Sequence, residues 1–224
     1  MIEEVKSEVY KLLCKDNSGH GMDHVNRVYK LSVKFAEKES ADVLVVSLVA
    51  LLHEVDDYKL FGEESAENLS NAKMILSKVG VGEETQKKVL EAIKRIGYKK
   101  CLNGIRPETL EGKIVSDADM CDGLGVTGIL RTYDYQKAHG RPFFDRKVFP
   151  EASVNFDNYK LCDDSAVCHC FDKLLRLKNL MMTEAGKEEA SSRHDIIVSI
   201  LYHLFEEEDA IEWKKYLDEF LKNQ

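Results

Sequence analysis

The sequence predicts an all-α fold. Apolar residues recur at spacings of three and four along almost the whole chain, and no stretch alternates long enough to support a sheet. The first helix is expected at residues 2–14, where Ile2, Val5, Val9, Leu12 and Leu13 share a face. The stretch KDNSGHG breaks it. A second helix follows, with Val25, Val28, Leu31, Phe35 and Ala36 on one side. Residues 41–53 form a third, nearly all-apolar helix that must be buried on most sides. Two amphipathic helices are expected at 65–79 and 83–97, separated by the turn VGVG, and another at 108–122 that carries several acids. Residues 134–165 hold two of the three prolines and several aromatics without a clear period, which predicts a long loop of the lid-like or disordered kind. Helical periodicity returns at 166–184 and 187–221.

Length and composition narrow the function. A chain of 224 residues can form one well-cored domain, or a domain with a helical extension. Its 44% hydrophobic and 32% charged content is that of a soluble globular protein. A net charge of −8 argues against a nucleic-acid polymer as partner, since phosphate backbones select basic surfaces. It leaves room for a small anion held by a metal or a few Lys and Arg residues. The N-terminal MIEEVKSEVYKLL lacks the features of a signal peptide. The apolar run Ala41–Leu52 contains Asp42 and Ser47 and is too short to span a bilayer. A cytoplasmic protein with no membrane partner and with reduced cysteines is therefore expected. The CHC stretch at 168–170 has no second pair at ligand spacing, so its cysteines read as small buried residues rather than a zinc site.

The third helix stops abruptly in ALLHEVDDYKLFG, at His53, Glu54, Asp56 and Asp57. An apolar helix that ends in a His and three acids asks for a positive group at that end. Three further stretches supply chemistry: GHGMDHVNRV with His20, Asp23, His24 and Arg27, SDADMCDGLG with Asp117, Asp119 and Asp122, and a tail segment with His169, Lys173 and Lys178. Taken singly, a His on an apolar face is more often a core residue, and a run of acids is more often a solvated face. Together, imidazole and carboxylate are the donor mixture that suits Mn, Fe, Zn or Ni. Neighbours such as His53 and Glu54 point about 100° apart on a helix. They can share one ion if it lies off the helix end.

These motifs resemble the HD-domain superfamily of metal-dependent phosphohydrolases, whose signature is a His, a His-Asp dipeptide and a distant Asp. The matching residues are His24, the pair His53-Glu54, and Asp119 within SDADMCDGLG, with Asp117 a rival for the last position. GILRTY, GRPFFD and HCFDKLLRLKNLMMTEAGKEEASSRH are similar to segments of bacterial members with a long helical C-terminus. Glu54 stands where the family has Asp, Met120 stands where it has Arg, and CHCF replaces its His-Phe pair.

The resemblance implies an HD helical bundle at 1–125, with a helical C-terminal region at 126–224 packed on it. It implies a divalent metal ion (Mn, Mg, Ni, Fe or Zn) on His24, His53, Glu54 and Asp119. Asp57 would act as general acid or base, resembling an acid used by related members, Lys59 would hold a phosphate, and His20 would steady a ligand or pass a proton. Arg27, Arg131, His169 and Lys173 would contact phosphate or base. The implied substrate is a phosphorylated small molecule, most simply a nucleotide, with pyrophosphohydrolysis of nucleoside triphosphates as the family precedent and a homodimer as an assembly. Glu54 and Met120 motivate the alternative of a non-catalytic metal- or nucleotide-binding module.

Overall fold

The structure, a computed structural model, describes residues 1–16, 19–150 and 165–223. Among them all regular structure is helical and no strand occurs. Contacts divide the chain into a first unit, Met1–Asp119, and a second, Met120–Gln224.

The first unit is built around the apolar helix. Its elements are α1 (Ile2–Leu13), α2 (Met22–Glu39), α3 (Val43–Leu52), α4 (Tyr58–Asn68), α5 (Ser70–Lys78), α6 (Glu83–Ile93), α7 (Tyr98–Leu102) and the start of α8 (Leu110–Asp122). In α3 every residue from Val45 to Leu52 is buried, and α1, α2 and α6 pack against it. A helix with no polar face has no other stable place. Asp42 starts it by accepting from the backbone N–H groups of Leu44 and Val45 at 3.0 and 3.2 Å. The helix ends at Leu52, and the chain turns through residues 53–56.

The helix expected at 65–79 is two helices. Asp56 explains the break. Its buried carboxylate accepts from the backbone N–H groups of Asn71 and Ala72, each at 2.9 Å, and from the Ser65 hydroxyl at 2.5 Å. It thereby caps α5 from outside, while Leu69 takes a left-handed conformation (φ 51°) between α4 and α5. Asp57 caps α4, accepting from Lys59 N–H at 2.9 Å. The expected helix at 83–97 ends at Ile93. Gly97, at φ 127°, then opens the short α7, which the apolar pattern did not announce.

The second unit contains α9 (Gly125–Ala138), α10 (Ala166–His169), a π-helical turn at Cys170–Leu174, α11 (Leu175–Leu177), a 3-10 turn at Lys178–Leu180, α12 (Glu184–Glu207) and α13 (Ile211–Lys222). The expected loop at 134–165 is corrected at its start: residues 134–138 finish α9, which ends before Gly140 at φ 70°. Residues 139–150 are irregular, and residues 151–164, with Tyr159 and Cys162, lie outside the described residues. Phe143 and Phe144 pack down, Phe143 on Tyr133 and Phe144 between Phe205 and Trp213. Trp213 also stacks on Phe149, with centroids 4.3 Å apart. The expected helix at 187–221 is interrupted at Asp209, whose φ of 49° turns the chain between α12 and α13.

Cys168 and Cys170 are buried. The Cys168 thiol donates to Val148 C=O at 3.3 Å, and burial pushes the Cys170 thiol up to about 12. Among the described residues no candidate metal cluster includes a cysteine, and no helix is long and apolar enough to cross a membrane.

Candidate metal centre

His24, His53, Glu54 and Asp119 form one cluster in the first unit, with a donor atom from each within 4.8 Å of the others. Three elements deliver them. His24 lies in the first turn of α2, on the face that packs against α3. His53 closes α3 and Glu54 follows in the turn, so both side chains lie off the helix end. Asp119 comes from α8.

His24 Nε2 lies 3.2 Å from His53 Nε2, 3.2 Å from Glu54 Oε1 and 3.4 Å from Asp119 Oδ1. His53 Nε2 lies 3.7 Å from Glu54 Oε1 and 4.0 Å from Asp119 Oδ1. The His53 ring is fixed from behind, because its Nδ1–H donates to Ala50 C=O at 2.8 Å. A carbonyl accepts only, so a neutral His53 turns the lone pair of Nε2 into the cluster. Two imidazole nitrogens and two carboxylate oxygens facing one another repel unless a proton or cation lies among them. Two nitrogens and two oxygens, largely removed from solvent, fit a first-row divalent ion. Glu54, one methylene longer than Asp, reaches the cluster.

The electrostatics follow from the same contacts. Burial drives the Glu54 carboxyl up. Hydrogen bonds from His20 and His24 and the neighbouring His53 outweigh that and hold it well below the usual carboxylate range. Burial likewise raises Asp119, and the contacts with His24 and His53 bring it below its ordinary value. Asp117 is fully buried on α8 and lies outside the cluster. Residues two apart on a helix point about 200° from each other, so one ion takes one of the pair.

Beside the cluster, His20 Nδ1 lies 2.9 Å from Glu54 Oε1, and Asp57 joins them in a second close group. α3 has ended before Asp57, which arrives as the cap of α4. His20 precedes α2 rather than lying within it. Lys59 Nζ lies 3.2 Å from His20 Nε2. Arg27 lies on α2, one turn after His24. Arg131, His169 and Lys173 belong to the second unit and are not members of the cluster; Arg131 is paired there with the buried carboxylate of Asp122 at 2.6 Å.

Two neighbours went unnoticed in the sequence. On α7, Lys99 donates to the Tyr58 hydroxyl and lies over its ring at 4.9 Å. Lys100 is half-buried and donates to Ile93 C=O at 3.3 Å; burial pushes its ammonium down, and the charge of Asp57 opposes that. Two adjacent lysines in an irregular stretch carry no signal of their own.

No family model matches the chain. YpgQ of Bacillus subtilis (strain 168), an uncharacterized protein, is 32% identical over 203 residues, which cover 90% of this chain and 91% of YpgQ. The solved structure of an HD-superfamily hydrolase from Bacillus thuringiensis matches with a TM-score of 0.74 and 32% identity, covering 93% of this chain and 97% of that one. The chain belongs to the HD superfamily of hydrolases. A structure of YpgQ in complex with ADP matches this HD hydrolase with a TM-score of 0.70 and 28% identity, over 92% and 97% of the two chains.

Proposed function

We propose that this HD hydrolase is a metal-dependent phosphohydrolase acting on a nucleotide. The observation that carries the reading is the convergence of two imidazoles and two carboxylates on one point. The ADP bound to YpgQ supports a nucleotide as ligand.

His24, His53, Glu54 and Asp119 would hold the ion. When bound, a divalent ion of this class polarises a phosphoryl oxygen and makes a water acidic enough to attack. The chain's own residues do the rest. The carboxylate of Asp57 is proposed to take a proton from the attacking water or return one to the leaving oxygen. The cap bond from Lys59 N–H fixes its position. His20 steadies Glu54 through Nδ1–H. Lys59, an obligatory donor, neutralises phosphate charge, and phosphoryl transfer depends on such positioning and charge stabilisation more than on covalent help. Arg27 is proposed as a further phosphate contact, and Arg131, His169 and Lys173 are carried as proposed phosphate or base contacts on their side-chain chemistry.

The test is elemental analysis of the purified protein, with phosphate and pyrophosphate release measured across a nucleotide panel in added Mn. Near-stoichiometric metal with turnover is expected, and His53→Ala should lose the metal while staying helical. Metal without turnover on any nucleotide would refute the catalytic reading and leave a binding module. Unchanged metal content in His53→Ala would refute the ligand set.

A further inference from the structure

We infer that Arg193 is a positioning residue for the metal centre, holding from α12 the last turn of α8, which carries Asp119. The inference rests on the ligand set proposed above for its link to the metal, and on the following contacts for its substance.

Asp119 depends on its backbone for its position. It lies in the last turn of α8, which ends at Asp122. Helix ends fray unless their carbonyl groups find partners. An aspartate has one methylene between backbone and carboxyl, so its side chain can take up little movement of the turn. A metal ligand has only about 0.2 Å of latitude in distance.

The turn is tied from outside. Arg193 Nη1–H donates to Cys121 C=O at 2.9 Å, from 72 positions further along the chain. Cys121 follows Asp119 by two residues on the same helix. Its carbonyl also accepts from Leu124 N–H at 3.0 Å, and Met120 C=O accepts from Gly123 N–H at 3.1 Å, so α8 closes in a tight turn of the 3-10 kind. The guanidinium is itself aimed. Its Nε–H donates to Glu189 Oε1 at 2.9 Å, one turn back on α12. The Arg193 stem lies on Gly125, where φ 71° turns the chain into α9; a Cβ there would stand 3.4 Å from Cβ and Cγ of Arg193.

Net charge does not account for this arrangement. Arg193 is neutralised by Glu189, and Arg131, which reaches the same helix end from α9, is neutralised by Asp122. What the end of α8 gains is direction. A guanidinium holds Glu189 and Cys121 at once through a rigid fork, which a lysine ammonium does not reproduce.

Arg193→Met tests this, because it keeps an apolar stem on Gly125 and removes the fork. Amide hydrogen exchange is followed by mass spectrometry on the metal-free protein, and Mn affinity by calorimetry at a temperature where every variant is folded. Exchange should quicken in peptides covering the end of α8 and stay unchanged in α3. Mn affinity should fall about tenfold, the scale for losing a contact that orients a ligand. Arg193→Lys, which retains one donor and guards against a folding defect in Arg193→Met, should recover part of both. Phe205→Leu, packed against Phe144 and Trp213 further along α12, should lower Tm and leave Mn affinity unchanged. Unchanged exchange in Arg193→Met would overturn the inference. So would faster exchange with unaltered Mn affinity, or an equal Mn loss in Phe205→Leu, which would make the effect one of general stability. A wild type without Mn affinity would refute the ligand set; faster exchange in Arg193→Met would then still sustain the hold on the turn of Asp119, and unchanged exchange would overturn it.

Discussion

Asp56 and Asp57 are adjacent acids at the end of α3, and the structure gives them unlike work. Asp56→Ala removes the carboxylate that accepts from Asn71 N–H and Ala72 N–H, each at 2.9 Å, and from the Ser65 hydroxyl. Hydrogen bonds to a charged group contribute about 1.5–3 kcal/mol each. The negative charge at the start of α5 adds about 0.3–1 kcal/mol through the helix dipole. The three bonds share one acceptor group and are not additive. The expected loss is about 3–5 kcal/mol, at the high end for one substitution because amide groups are left unsatisfied out of solvent. For a unit of this size that lowers Tm by about 10–20 °C. Asp56→Asn keeps one carbonyl oxygen as an acceptor and should lose roughly half as much. The assay is thermal unfolding by circular dichroism, with Mn affinity measured at a temperature where every variant is folded. Both variants should bind Mn as wild type does. An unchanged Tm with lost Mn binding would refute the reasoning and make Asp56 a ligand instead of a cap.

Three other outcomes follow from the same contacts. Glu54→Gln keeps the size and an acceptor oxygen but removes the charge, so Mn affinity should fall at least a hundredfold by calorimetry; an unchanged Kd would remove Glu54 from the ligand set. Gly128→Ala would place a Cβ 2.1 Å from the Gly123 carbonyl oxygen, a backbone atom that cannot rotate away. It should destabilise by about 1–3 kcal/mol in urea unfolding, where a glycine in an open helix would gain from the change. The Cys170 thiol, buried and held protonated to about pH 12, should resist iodoacetamide in the native protein while exposed Cys14 is labelled, as read by mass spectrometry of peptides.

What the sequence revealed and what it hid divide along a physical line. The helix at α3 was legible because burial on every side leaves an unbroken apolar run, and the cluster was legible because that run ends in groups unsuited to a helix interior. The break between α4 and α5 was not legible, because its cause is Asp56, a residue 15 positions before the N–H group of Asn71 that it captures. Long-range caps leave no local pattern. The same holds for α7, where a single glycine conformation starts a turn of five residues with no apolar face to repeat. It holds again for the π turn at Cys170–Leu174, which shifts the register of a stretch that reads as ordinary helix.

The four acidic and imidazole groups at the end of α3 were read as one signal, and they divide among three tasks. His53 and Glu54 face the cluster, Asp56 starts α5, and Asp57 starts α4 while lying beside His20 and Glu54. Two helix starts thus fix the segment that carries two candidate ligands. The starts of α4 and α5 and two members of the cluster thus come from one short segment, residues 53–57. The side chain of Glu54 is one methylene longer than the Asp of the family pattern, and its Oε1 still lies 2.9 Å from His20 Nδ1 and 3.2 Å from His24 Nε2.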